Sequence, residues 1–334
     1  MISRGCAMPT KRIDLARLAL LLLLLGPSHG WSADREPGSL LRRMTSIRLE
    51  VAGGRIVCPG LSNAASRSLS AEKGGSEEAL TINPASDDLS LKYCWQDAER
   101  RFALELLGDG SVTLRDQQAA ETVVLEQNPQ QDLELTLEQT GAPKQEWRAK
   151  TLWHLLVLHP EARSCLLPRF SLLAPHLHLA GQLLEIEEHL AQEADPSWRQ
   201  QRSAWNTCVE ELGNSDYKSR TAADQQLRAG GPAAAAYLQS LDLAALQHEQ
   251  RQRVERIVAH AAQQLDTPAT VANAWCYDRQ IWCARLHHDD PQIRQRAAAH
   301  LTDLVDRPLT YDPQADSATR NRQARVLEKT LLRR

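Results

Sequence analysis

From Met44 to Glu138 apolar residues fall at every second position: Ile47, Leu49, Val51, then Leu89, Leu91, Tyr93, Trp95, then Phe102, Leu104, Leu106, then Val112, Leu114, then Leu133, Leu135, Leu137. A period of two with polar residues between marks strands that bury one face. Gly53-Gly54, Gly108-Asp109-Gly110 and Asn128-Pro129 stand between the runs as turns, and such short connections predict an antiparallel meander or sandwich over residues 44–140. Residues 59–86, rich in Ser, Ala, Glu and Gly, read as a flexible loop inside this region. Residues 31–43 read as a linker before it.

Beyond Gly141-Ala142-Pro143 the period moves toward 3.6, which places the domain boundary at that turn. Residues 146–212 predict a helical connector. In it Trp153, Leu156 and Val157 share one face, Leu179, Leu183, Ile186 and Leu190 a second, and Trp198, Trp205, Cys208 and Leu212 a third. The expected class is α+β, sheet first and helices after.

One pattern occurs twice in the C-terminal part of the chain. Asp216, Arg220, Ala223 and Leu227 are matched by Asp290, Arg294, Ala297 and Leu301 at one constant offset. Spacings of three and four put Arg, Ala and Leu on one helix side, with Asp at the N-cap and Pro291 in the first turn. Between the copies, Val254, Ile257 and Ala261 mark one helix, and Thr267-Pro268 opens another that carries Val271, Trp275 and Trp282. The Asp-x3-Arg-x2-Ala-x3-Leu pattern resembles HEAT-type helical repeats, with a period of about 40 residues if a degenerate middle unit is counted. The resemblance covers residues 213–305. The closing segment, LVDRPLTYDPQADSATRNRQARVLEK, is similar to tails that follow such repeats in exported bacterial proteins of unknown function, and residues 306–334 are expected to form a tail helix. What the resemblance implies is a stacked helical scaffold and no particular chemistry.

Residues 1–30 combine Arg4, Lys11, Arg12 and Arg17 with the run Leu18 to Leu25 and a Ser28-His29-Gly30 site. This is the layout of a secretory signal peptide, too short for the roughly 20 apolar residues of a membrane span. It predicts an exported chain, periplasmic or extracellular, with no stable span after cleavage; tethering by an uncleaved N-terminal segment is the alternative. Lys+Arg 39 against Asp+Glu 42 leaves no basic field for nucleic acid. Cys58, Cys94, Cys165, Cys208, Cys276 and Cys283 follow the signal region, and an even count in an exported chain suggests disulfides. Cys58 with Cys94, both in the β region, is the expected bridge.

Reaction chemistry is faint. His176-Leu177-His178 and His287-His288-Asp289-Asp290 contain metal-ligand types, but His-Glu-x-x-His and Cys-x-x-Cys are absent, and no metal or cofactor is expected. The sequence also lacks a Gly-x-Ser-x-Gly elbow and a Gly-rich phosphate loop. Trp makes up 8 of the aromatics, against Tyr 5 and Phe 2, and Trp198/Trp205 and Trp275/Trp282 are spaced to line helix sides. A scaffold that exposes them would grip a partner protein, since Trp buries a large area at little rotamer cost. The resulting expectation is a non-catalytic protein-binding scaffold. A hydrolase of an envelope polymer, with its site between sheet and helices, is the alternative.

Overall fold

In a computed structural model of the chain, residues 37–44, 47–85, 88–191, 197–261 and 267–332 are described; the expected signal peptide lies outside them. The expected α+β order is observed. A short helix α1 (Ser39–Arg43) and a hairpin of β1 (Glu50–Ala52) and β2 (Arg55–Val57) precede the main sheet. That sheet runs through β3 (Arg67–Lys73), β4 (Ser76–Asn83), β5 (Ser90–Gln96), β6 (Arg100–Leu107), β7 (Val112–Gln118), β8 (Glu121–Gln127), β9 (Leu133–Gln139) and β10 (Gln145–Ala149). Its eight strands pair in sequence order, each antiparallel to the next, as short turns dictate.

Alternation sets the buried face. Leu80 and Ile82, then Leu91, Tyr93 and Trp95, then Phe102, Leu104 and Leu106, then Leu114, Val123, Leu125, Leu133 and Leu135 all lie on it, nearly inaccessible to water. Each fully buried side chain of this size contributes about 1.5–3 kcal/mol. The opposite face is polar and carries exposed pairs such as Lys92 with Glu105 at 2.9 Å.

Residues 59–86 are not a flexible loop. They include β3 and β4, which complete one edge of the sheet. Ser76 and Glu78 occupy core-facing positions of β4, so the alternation there is polar against polar. Glu78 is buried because it caps a helix: its carboxylate accepts from Ser39 Oγ and from Leu40 N at 2.9 Å, both in α1, and from Tyr93 Oη at 2.8 Å. The expected linker therefore ends in a helix whose Leu40 and Leu41 join the core.

The sheet also continues past Gly141-Ala142-Pro143, which turns β9 into β10 and is no domain boundary. Helix begins at α2 (Leu152–Leu158), followed by α3 (Pro160–Leu173), α4 (Leu179–Ala191) and α5 (Ser197–Glu211). Helix α3 sets Ala162, Leu166 and Phe170 into the core. It also carries Arg169, which meets Asp116 of β7 at 2.7 Å. Asp116, wholly buried, is clamped from the other side by Arg100 at 2.7 and 2.9 Å. From Pro37 onward the sheet and helices belong to one compact unit.

The remaining helices are α6 (Tyr217–Ala229), α7 (Gly231–Gln239), α8 (His248–Ala261), α9 (Pro268–Trp275), α10 (Arg279–Arg285), α11 (Pro291–Val305) and α12 (Ser317–Leu331). Both copies of the repeated pattern adopt one local structure. Asp216 caps α6 by accepting from Ser219 N, and Asp290 caps α11 by accepting from Gln292 N. Arg220 turns back to donate to Asn214 O and Ser215 O, as Arg294 does to His288 O and Asp289 O. Ala223, Leu227, Ala297 and Leu301 are buried. A third instance escaped the sequence pattern: Asp316 caps α12 and Arg320 donates to Ala315 O.

Candidate functional site

A cleft of about 1010 Å³ opens where the small hairpin, the β10–α2 junction and the ends of α7, α8 and α9 come together. Its position follows from local chemistry. Gly53 and Gly54 form the hairpin turn with positive φ, and Gly54 O accepts from Leu152 N at 2.8 Å. A Cβ on Gly54 would stand 2.6 Å from Thr151 Cβ, so only glycine lets the hairpin lie this close to the start of α2.

Thr151 caps α2, accepting from His154 N at 3.2 Å. The same hydroxyl lies 2.7 Å from His154 Nδ1, and His154 Nε2 lies 3.0 Å from Asp278 Oδ2. Asp278 in turn caps α10 by accepting from Gln280 N at 2.8 Å. Nε2–H donates to Asp278, and Nδ1 shares a hydrogen bond with the Thr151 hydroxyl. The imidazole also packs on Trp275, ring centroids 4.7 Å apart. Burial pushes the Asp278 carboxyl up, but the hydrogen bond and charge of His154, helped by Lys150 and the Gln280 N–H, outweigh it and hold it at about 2. Thr151, His154, Asp278, Lys150 and Arg279 all border the cleft.

A second hollow of about 440 Å³ lies between α5, the end of α7 and the end of α11. Ser240, Tyr277 and Arg279 border both hollows. In the second, Arg202 holds Asp306 at 2.8 Å and Arg199 is paired with Asp303.

Three of the four tryptophans expected to grip a partner are core residues. Trp205, Trp275 and Trp282 are 6%, 3% and 3% exposed. Trp205 packs against Tyr237 and Tyr277, and Trp282 Nε1 donates to Trp275 O. Trp275 and Trp282 do not share a helix, because α9 ends at Trp275 with Cys276 as its cap and Asp278 opens the next. Trp198 lies in the first turn of α5, and its side chain is outside the described part. Large flat side chains at helical spacing are inward-facing here for the usual reason, the area they remove from water.

The expected Cys58–Cys94 bridge is absent: both are free thiols. Cys94 alternates with the core-facing Tyr93 and Trp95 and so belongs to the polar face of β5, whereas Cys58 follows β2 on the core side. The histidine clusters have structural partners. His176 Nε2 donates to Leu49 O at 2.9 Å, and His287 bonds Asn321 and Glu328 of α12. His288 Nδ1 accepts from Asp290 N. Among the described residues no group of three or more His, Cys, Asp or Glu is placed to hold a metal, and no helix is long and apolar enough to cross a membrane.

The sequence pattern does not foresee this site. His154 and Asp278 lie 124 positions apart. The available signals are local: Thr151 three residues before His154, and Asp278 ahead of Arg-Gln-Ile, both N-cap patterns. Comparison with protein-family models, with curated proteins and with solved structures finds no match for the chain.

Proposed function

We propose that the chain is an exported, non-catalytic protein-binding scaffold, with HEAT-like helix stacking in its C-terminal half, and that the groove between sheet and helices is where the partner is held. The groove is the observation that supports this. At about 1010 Å³, it reaches the upper end of ordinary small-molecule pockets. Ala235, Ala236, Ala259 and Ala274 give it small side chains, which leave room for another backbone to come close. Export follows from the signal-peptide pattern of the sequence and places the partner in the envelope or outside the cell.

Crosslinking in intact cells, followed by purification and mass spectrometry, tests the reading. Ala236→Trp, which would fill the groove from its half-buried wall, serves as the comparison after a folding check. One dominant partner that disappears in this variant is the expected result. No partner from either version would sink it.

A hydrolase acting on an envelope polymer is the second reading, and the hydrogen-bonded Thr151–His154–Asp278 chain is what favours it. Against it, Thr151 Oγ1 already accepts from the His154 backbone and caps α2, which engages the hydroxyl that would have to attack. Hydrolysis of ester or glycan substrates that is lost in His154→Ala would favour the enzyme over the scaffold.

A further inference from the structure

We infer that Arg285, with Arg296 near it, forms a binding site for a doubly charged oxyanion of the phosphate type, apart from the cleft and independent of the scaffold reading. What carries the inference is a buried guanidinium with no acceptor. Arg169, Arg285 and Arg294 are the arginines buried among the described residues, at 7%, 8% and 4% exposed. Arg169 donates to Asp116, Glu121 and Cys165 O, and Arg294 to His288 O, Asp289 O and Pro313 O. Arg285, the last residue of α10, has no hydrogen bond and no ion pair among the described residues.

The shape of its burial shows where an acceptor can reach it. Arg285 Nε is closed to water, which leaves Nη1 and Nη2 as the nitrogens that meet the surface. A guanidinium is all donor, and burying it without acceptors is costly. Trp282 does not meet that need. Its ring centre lies 5.8 Å from the guanidinium carbon, and a ring face attracts the charge but offers no oxygen to the N–H groups.

Neighbouring charges set the class of ligand. Burial pushes the Arg285 guanidinium down, Glu187 of α4 works against that, and Arg296 of α11 adds to it. Glu187 is already engaged, bound by Arg163 at 2.6 Å. Arg296 is exposed and donates to a neutral acceptor, Ala191 O. With Arg163 and Glu187 matched to each other, Arg285 and Arg296 are two positive charges without a counter-charge among the described residues. A dianion answers both. The planar end of Arg285 takes two of its oxygens side by side, which chloride cannot offer.

Calorimetric titration of the purified protein with inorganic phosphate and with glycerol 3-phosphate, at an ionic strength fixed with chloride, tests the site. Saturable binding is expected, weakened about tenfold in Arg296→Gln and lost in Arg285→Gln. Binding of inorganic phosphate alone would support a site for the free ion. Tighter binding of the ester would support a site for the phosphate group of a larger molecule. Absence of binding by both ligands would overturn the inference, as would phosphate binding that survives in Arg285→Gln. Should that variant fail to fold, Arg296→Gln decides, because its position is exposed, and unchanged phosphate affinity there would overturn the inference by itself.

Discussion

His154 Nε2 lies 3.0 Å from Asp278 Oδ2, tying the helix that leaves the sheet to the turn between α9 and α10. The pair is shielded, its side chains 8% and 17% exposed, and Asp278 is held at about 2 rather than 3.8. A carboxyl depressed by folding stabilises the folded state above its ordinary value, and that contribution fades as the pH falls from about 4 to about 2. Asp278→Asn keeps a hydrogen-bond acceptor and removes the charge. It should cost about 2 kcal/mol near neutrality and nothing below about pH 2, measured by urea unfolding across a pH series. A variant as stable as the parent near neutrality would mean that the pair adds no net stability.

A second acid-sensitive element lies among the helices, at His300 of α11. His300 stacks on Trp282, ring centroids 3.9 Å apart, and its Nε2 donates to Cys276 O at 2.6 Å. Burial pushes it down to about 4, against the opposing effects of that hydrogen bond and of Asp303. A histidine kept neutral by folding binds its proton more weakly than in the unfolded chain. Its contribution is therefore full above about pH 6.5 and declines as the pH falls toward 4. Acid should weaken the protein in two stages, first through His300 and then through Asp278. In His300→Gln the slope of unfolding free energy between about pH 6.5 and 4 should flatten while the lower stage persists. An unchanged slope would assign the first stage to another group.

Asp116 carries two arginines from different elements, Arg100 of β6 and Arg169 of α3, at a position with no water access. Removing its charge takes the carboxylate partner from Arg100 and leaves Arg169 with Glu121. Asp116→Ala should cost about 3–5 kcal/mol, the usual penalty for orphaning a buried charge. Adding Arg169→Met should recover part of that loss, because α3 then meets the sheet with an apolar side chain of similar length. Denaturant midpoints of the two single variants and the double variant decide it. Strict additivity would show that Arg169 is held by Glu121, 2.5 Å away, and not by Asp116.

Strands β5, β6, β7 and β9 are legible in the sequence because most of their core-facing positions are apolar, from Leu91 to Leu137, even though the buried Asp116 interrupts the run in β7. Strand β4 is not, because Glu78 fills a core position through contacts with Ser39, Leu40 and Tyr93 that no local pattern reveals. Gly141 to Pro143 reads as a boundary because glycine and proline punctuate hairpins and linkers alike. Caps fare better: Asp216, Thr267 and Asp290 each begin a helix as their chemistry requires. The tryptophans show the limit most clearly. Spacing sets their helical context but not which way they face, and the groove that remains open is lined by helix ends and turns brought together only by the tertiary fold.

The thiols allow one further check on both fold and compartment. Burial pushes Cys58 and Cys276 up to about 11 and Cys283 up to about 12, so near pH 8 about one in a thousand or fewer is a thiolate. Cys58 and Cys94 belong to opposite faces of the β region, and a bridge between them would require the hairpin to leave the core. Iodoacetamide should therefore modify Cys58, Cys276 and Cys283 only slowly in the folded protein. After unfolding without reductant, all six cysteines beyond the signal peptide should take up label, giving six adducts by intact mass. Four adducts would mean that one disulfide forms. If Cys58 and Cys94 were then the protected pair, the β1–β2 hairpin could not be packed against the core as it is in this fold.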